Sequence, residues 1–265
     1  MRRIVAVISA GLLLSLAAPA LALDTLADAR FESVRLTPNG GIRVVLEYRC
    51  PQGYQGVAGE SWFYVEQMDY SDVPSFEEMI VCDGNTQTLV RRFPPEGLQG
   101  QPWDPKRTVR VEMRLFVRAT SDPERPLHAI ESDTYSLHGL EEATRPGDIH
   151  ITRVRMNDRG ELVVAMAYRC PRGTFVDVEN DNDWATITVL QGDGQVSYDV
   201  YTDVPLGDDI SCDGTPKTLV KRFEGPRQVE LSPDLPIALE ALMITVNRQR
   251  TRGVSATDGI ALNVP

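Results

Sequence analysis

The chain has 265 residues, of which 38 are acidic and 27 are Lys or Arg, giving a net charge of −11. An acidic balance of this size argues against nucleic acid or an anionic membrane as partner. Three histidines and four cysteines leave little material for nucleophilic or zinc chemistry.

The chain opens Met1-Arg2-Arg3, runs apolar from Ile4 to Ala18, and continues Pro19-Ala20-Leu21-Ala22. A short basic start, an apolar centre and a small-x-small ending predict a secretory signal peptide over residues 1–22, cut after Ala22. The run is shorter than the ~20 residues a bilayer span requires, and Pro19 interrupts its end. Arg2-Arg3 is not followed by a twin-arginine consensus, so ordinary export is expected. Cleavage removes Arg2 and Arg3 and no acid, taking the net charge from −11 to −13. No second apolar run of spanning length follows. The mature chain is expected to be secreted and soluble, or periplasmic in a Gram-negative cell. Lys106, Lys217 and Lys221 are its only lysines among many arginines, a composition that points to a GC-rich bacterial genome.

After the signal, periodicity is that of strands. In Ile42–Cys50 the apolar Ile42, Val44, Leu46, Tyr48 and Cys50 share one face, and Arg43, Glu47 and Arg49 occupy the other. Further strands are predicted near Phe31–Thr37, Trp62–Asp69, Glu77–Val81, Thr86–Phe93, Thr108–Arg118 and Thr134–Leu137, separated by Gly, Pro, Asn and Asp clusters. Within Thr108–Arg118, Arg110, Arg114 and Arg118 share a face with Glu112 and Phe116, an outer face half neutralised by acids. The polar stretch Gly139–Asp148 reads as a linker, dividing the mature chain into residues 23–142 and 143–265.

The second part repeats the first. Tyr48-Arg49-Cys50-Pro51 returns as Tyr168-Arg169-Cys170-Pro171. Cys82-Asp83-Gly84 with Thr88-Leu89-Val90-Arg91-Arg92-Phe93 returns as Cys212-Asp213-Gly214 with Thr218-Leu219-Val220-Lys221-Arg222-Phe223. Two such matches in order indicate a duplicated domain. Strands of the second copy are expected near Ile149–Met156, Leu162–Cys170, Ala185–Gln191, Ser197–Thr202, Lys217–Phe223, Leu239–Asn247 and Gly259–Val264. About seven short strands per copy predict two tandem immunoglobulin-like β-sandwich domains in an all-β protein, with a small barrel as the alternative.

In an exported chain the four cysteines read as disulfides. Only Cys50–Cys82 with Cys170–Cys212 respects the duplication. Loops of roughly 30 and 40 residues give each bridge about 4 kcal/mol on a chain-entropy argument. Asp-Gly after the second cysteine reads as a tight turn.

Tyr-x-Cys ending a strand, Gln67 and Gln191 on the next strand, and Cys-Asp-Gly together resemble two-cysteine immunoglobulin-like domains of uncharacterised secreted actinobacterial proteins. The resemblance spans nearly all of each repeat. It implies a fold and a compartment but no activity.

Two features belong to the second copy alone. The acidic run Asp177, Glu179, Asp181 and Asp183 offers side-chain oxygens for calcium, but lacks the glycine and glutamate positions of an EF-hand loop, so a solvated acidic loop is the preferred reading and no cofactor is expected. The strand from Leu239 to Val246 is apolar on both faces, with Leu242, Ile244 and Val246 opposite the core side. Such a strand needs a cover: the first domain, a second chain or a ligand. His128, His138 and His150 are expected to be single surface histidines, with His138 and His150 meeting at the domain junction as the alternative. The chain lacks a Gly-x-Ser-x-Gly elbow, a His-Glu-x-x-His motif and a glycine-rich phosphate loop. The expected function is non-catalytic binding or adhesion, the partner an unknown protein or envelope component, with a domain–domain or homodimer contact open. A hydrolase with an acidic pair and an envelope or matrix structural component are the alternatives.

Overall fold

The computed structural model describes residues 21–22, 25–57, 59–67, 70–72, 80–96, 101–122, 126–159, 161–176, 185–191, 200–206, 209–223, 236–249 and 253–263. The protein is all-β. The first half carries β1 (Leu21–Ala22), β2 (Thr25–Leu36), β3 (Ile42–Arg49), β4 (Tyr54–Gly56), β5 (Trp62–Gln67), β6 (Tyr70–Asp72), β7 (Thr86–Phe93), β8 (Thr108–Ala119) and β9 (Pro126–His138). After β10 (Glu141–Thr144) come β11 (Asp148–Met156), β12 (Leu162–Arg169), β13 (Thr174–Val176), β14 (Ala185–Gln191), β15 (Val200–Pro205), β16 (Lys217–Phe223), β17 (Ile237–Asn247) and β18 (Gly253–Leu262).

All the pairings are antiparallel. In the first half β3 lies between β2 and β7, while β8 pairs with β4, β5 and β9, and β6 extends beyond β5. In the second half β12 lies between β11 and β16, while β17 pairs with β13, β14 and β18, and β15 extends beyond β14. β1 adds two residues beside β11, within the segment expected to be removed on export.

Period-two patterning decides what each strand buries. Ile42, Val44 and Leu46 are fully buried, as are Val164 and Met166 on the equivalent strand. Each such side chain contributes about 1.5–3 kcal/mol of hydrophobic stabilisation. Two cores result. The first is centred on aromatic edges, with Phe31 and Phe63 ring centroids 5.8 Å apart and Phe63 and Phe93 at 5.6 Å. The second is mostly aliphatic, around Met166, Ile187, Leu206, Leu239 and Met243, with Phe223 and Tyr168 as its aromatic members.

The disulfides Cys50–Cys82 and Cys170–Cys212 are both formed. Each joins the end of β3 or β12 to the segment before β7 or β16. The motif around them is a clamp. The Tyr48 hydroxyl accepts the Val81 N–H at 2.9 Å, and the Cys50 carbonyl accepts the Gly84 N–H at 3.0 Å. Tyr168 and Cys170 do the same for Ser211 at 3.2 Å and Gly214 at 3.1 Å. Gly84 and Gly214 sit at φ 84° and 85°, where a side chain would be strained. Asp83 and Asp213 accept the N–H two residues on, at 2.9 Å in both halves, so Cys-Asp-Gly is a turn. Gln67 holds the chain ahead of β8, donating to the Asp104 carbonyl at 3.0 Å and accepting its N–H at 2.6 Å.

Several expectations need correcting. β2 begins at Thr25, β9 runs from Pro126 and β18 from Gly253, all earlier than their apolar cores suggest. Ile80–Cys82 is not a strand, and Val81 is half exposed; Glu77–Met79 lie outside the described residues. The polar linker contains β10, which pairs with both β9 and β2. Most consequentially, β18 pairs with β9 from Ala256↔Asp133 to Gly259↔Ile130, and with β2 at Ala261↔Ala27. The last strands of the two halves are neighbours, so one sheet runs from β6 to β15.

Candidate functional site

The β9–β18 seam carries the densest chemistry among the described residues, and its two faces differ. On the inner face, strand alternation turns Glu131, Asp133 and Asp258 inward, with 3 %, 1 % and 0 % of their surface exposed. Glu131 and Asp258 are direct cross-strand partners. Such burial is costly without a counter-charge, and Arg145, just after β10, supplies it. Its Nη1 lies 2.9 Å from Asp133, 3.2 Å from Asp148 and 3.4 Å from Glu131, and its Nη2 donates to the Phe31 carbonyl at 2.7 Å. The guanidinium also stacks over Tyr135, 5.5 Å from the ring centroid. Asp258 takes the Ile151 N–H at 2.5 Å and lies 3.1 Å from His150 Nδ1.

Protonation follows from this crowding. Burial pushes the Asp133 carboxyl up to about 7, against the pull of Arg145. Burial, then Asp133 and Asp258, raise Glu131 well above the usual carboxylate range. Asp28, at the start of β2, is raised by burial and by Asp258. His150 is raised by its bond to Asp258.

The outer face carries a row of alternating rings and charges. Arg114 on β8 stacks over Trp62 at 4.9 Å and donates to His128 Nε2 at 2.8 Å. His128 Nδ1, in turn, faces Glu240 Oε1 on β17 at 3.2 Å. Phe116 lies beside His128, with centroids 6.4 Å apart, and Arg118 covers Phe116 at 5.4 Å. Burial and Arg114 push His128 down to about 3, so its ring is neutral. Arg110 bonds Glu112 at 2.6 Å and Ser132 at 3.1 Å.

Of the residues singled out from sequence, Leu242 and Ile244 lie on this outer face, half buried, and Leu242 stands opposite Thr257 and Thr186. Val246 does not stay open: it is buried and pairs with Phe175 of β13. The Arg110 face is not merely solvated, because Arg114 is engaged by Trp62 and His128. His128 is buried, not a surface residue. His138 bonds Thr144 at 2.9 Å, while His150 turns to Asp258, so the two do not meet. Asp177, Glu179, Asp181 and Asp183 lie outside the described residues, and among those described no group of three His, Cys, Asp or Glu is placed to hold a metal.

Reading the sequence missed Arg145, Glu131, Asp133, Asp258 and Glu240. A signal was present: Leu127, Ala129, Glu131, Asp133, Tyr135 and Leu137 alternate strictly, with two acids at core positions. No helix among the described residues is long and apolar enough to cross a membrane. No family model, no curated protein and no solved structure matches this chain.

Proposed function

We propose that this chain is an exported, non-catalytic binding or adhesion protein of two tandem immunoglobulin-like domains, joined by the seam and offering the outer face of the shared sheet to a protein or envelope partner. The observation that carries this reading is the β9–β18 pairing. It places Trp62, Arg114 and Phe116 of one half on the same face as Leu242 and Ile244 of the other. Half-buried aromatic and aliphatic side chains interleaved with Arg are the usual make-up of recognition surfaces. In each half, a three-stranded sheet covers a longer one and a disulfide staples the core, which supports the immunoglobulin-like assignment. Two disulfides are compatible with an oxidising compartment. The acids that could act as a catalytic pair are sealed beneath the seam and clamped by Arg145, which supports a binding role over a hydrolytic one.

The test is capture from culture supernatant and cell-wall material with immobilised protein, run beside Leu242→Asp and Trp62→Ala. A retained component that both variants lose while keeping the wild-type melting temperature supports the reading. Equal retention by wild type and variants, or turnover of a wall polymer, overturns it.

A further inference from the structure

The outward face of the β2–β3–β7 sheet is built in cross-strand rows. Near one end, Arg30 stands opposite Glu47 and pairs with it at 2.6 Å, an ordinary opposite-charge contact. At the other end the pattern inverts. Arg35 stands opposite Arg43, and Arg43 opposite Arg92, so three guanidiniums occupy one row across three strands. With strands ~4.8 Å apart, the row spans about 10 Å. None of the three forms an ion pair among the described residues. Glu142 of β10 is in register with Arg35 but is not paired with it.

Like charges directly opposite are destabilising. Guarding a sheet edge with charge accounts for Arg92, since among the described residues β7 pairs only with β3. It does not account for Arg43 in the middle strand. The second half repeats the row at the same register: Arg155 opposite Val163, and Val163 opposite Arg222. There Arg159 joins from the neighbouring turn, and the three arginines line a hollow of about 230 Å³ together with Asn157, Val163 and two carboxylates, Asp158 and Glu161, the latter engaged by Asn157 at 2.6 Å. The rest of the chain is strongly acidic, so two basic rows are a local exception. Arginine presents a planar donor fork that matches oxyanions two bonds at a time.

We propose that the Arg35–Arg43–Arg92 row, and its counterpart of Arg155, Arg159 and Arg222, are two binding sites for tetrahedral oxyanions, the phosphate or sulfate groups of a polyanionic ligand. These sites lie on β2, β3 and β7 and on β11, β16 and the turn after β11, not on the strands that carry Trp62, Arg114, Phe116, Leu242 and Ile244, so they are tested independently of the binding face proposed above.

The experiment is calorimetry and thermal melting of the full chain with inorganic tripolyphosphate and, separately, dextran sulfate, which distinguishes phosphate from sulfate as the source. Binding of either at two sites per chain is expected, with affinity falling as salt rises. Arg43→Val copies Val163 of the other half and so is expected to fold. Without ligand it should melt no lower than wild type, because it relieves like-charge contact. Its affinity at the first site should fall on the order of tenfold, the loss of one charge-assisted contact. Arg35→Ala with Arg92→Ala should reduce the stoichiometry from two to one. No binding of either polyanion by wild type overturns the proposal. So does undiminished binding by these variants, or a lower melting temperature for Arg43→Val with affinity unchanged, which would assign the row a structural role.

Discussion

Glu240 reaches His128 across a glycine. Its Oε1 lies 3.2 Å from Nδ1, although β18 runs between their strands, and the residue of β18 beneath its path is Gly259. A Cβ built on Gly259 would stand 2.5 Å from Ile130 Cγ2 and 3.3 Å from Glu240 Cγ. The absent side chain thus lets the two halves touch through a charged group on the outer face. Because Arg114 donates to Nε2, the ring proton resides on Nδ1, turned toward Glu240.

Gly259→Val is therefore expected to destabilise the protein by about 1–3 kcal/mol, the range for overpacking a filled site. A thermal melt reads the loss, and the Trp62 environment should change because Arg114 and His128 shift with it. A Gly259→Val protein that melts with wild type would show that the seam tolerates a side chain and that this account of Glu240 is wrong.

The inner face of the seam sets a pH dependence whose sign is fixed by the direction of the shifts. Unfolded, Asp133 and Glu131 ionise near pH ~4. Folded, Asp133 holds its proton up to about 7 and Glu131 is raised well above its ordinary value. The native state then binds more protons than the unfolded one across that interval, so stability falls as pH rises through it. Asp28 and His150, both raised, add in the same direction, while His128, held neutral by burial, opposes them below pH ~6.5 and is outweighed by the four raised groups. The melting temperature is expected to be higher at about pH 5.5 than at about pH 8.5, and Asp133→Asn should flatten the difference. A melting temperature that rises over this range would contradict the assignment.

Among the described residues, Arg145 is the only cation within ion-pair distance of Glu131 and Asp133. Arg145→Met keeps the apolar stem but leaves buried acids without a counter-charge, a loss expected to cost about 3–5 kcal/mol. Adding Glu131→Gln and Asp133→Asn should recover much of it, because the groups act as one network. Urea unfolding of the single, double and triple variants measures the coupling; strict additivity would mean that Arg145 does not serve these acids.

How much of this was legible in the sequence depends on which side chains face inward. β3 alternates without exception and β12 does so apart from buried Val163, so their core faces and the inward cysteines follow from pattern alone. β9 and β18 are where the pattern misleads. Glu131, Asp133 and Asp258 occupy core positions, so the apolar count drops there and the strands read as short. Their burial makes sense only once Arg145 is beside them, and Arg145 sits in a stretch whose composition is that of a linker. The acids and their cation lie on separate segments, and Asp258 is brought to Glu131 by a pairing between strands far apart in the chain. Local periodicity carries no information about such a pairing.

The Tyr-x-Cys and Cys-Asp-Gly motifs make a prediction about their own spacing. Tyr48 and Tyr168 are buried on the cysteine side of their strands, and each hydroxyl accepts a backbone N–H from the segment that bears the second cysteine. Tyr48→Phe removes the acceptor and leaves the Val81 N–H without it, at an expected cost of about 1 kcal/mol. Cys50→Ala with Cys82→Ala removes the covalent tie at an expected cost of about 3–4 kcal/mol. If the tyrosine orders the segment so that the cysteines meet, Tyr48→Phe should also slow reoxidation of the reduced chain, and Tyr168→Phe should do the same for Cys170–Cys212. Reoxidation followed by free-thiol titration separates the two roles. Wild-type rates in both variants would leave the tyrosines as packing residues that contribute stability only after the bridge has closed.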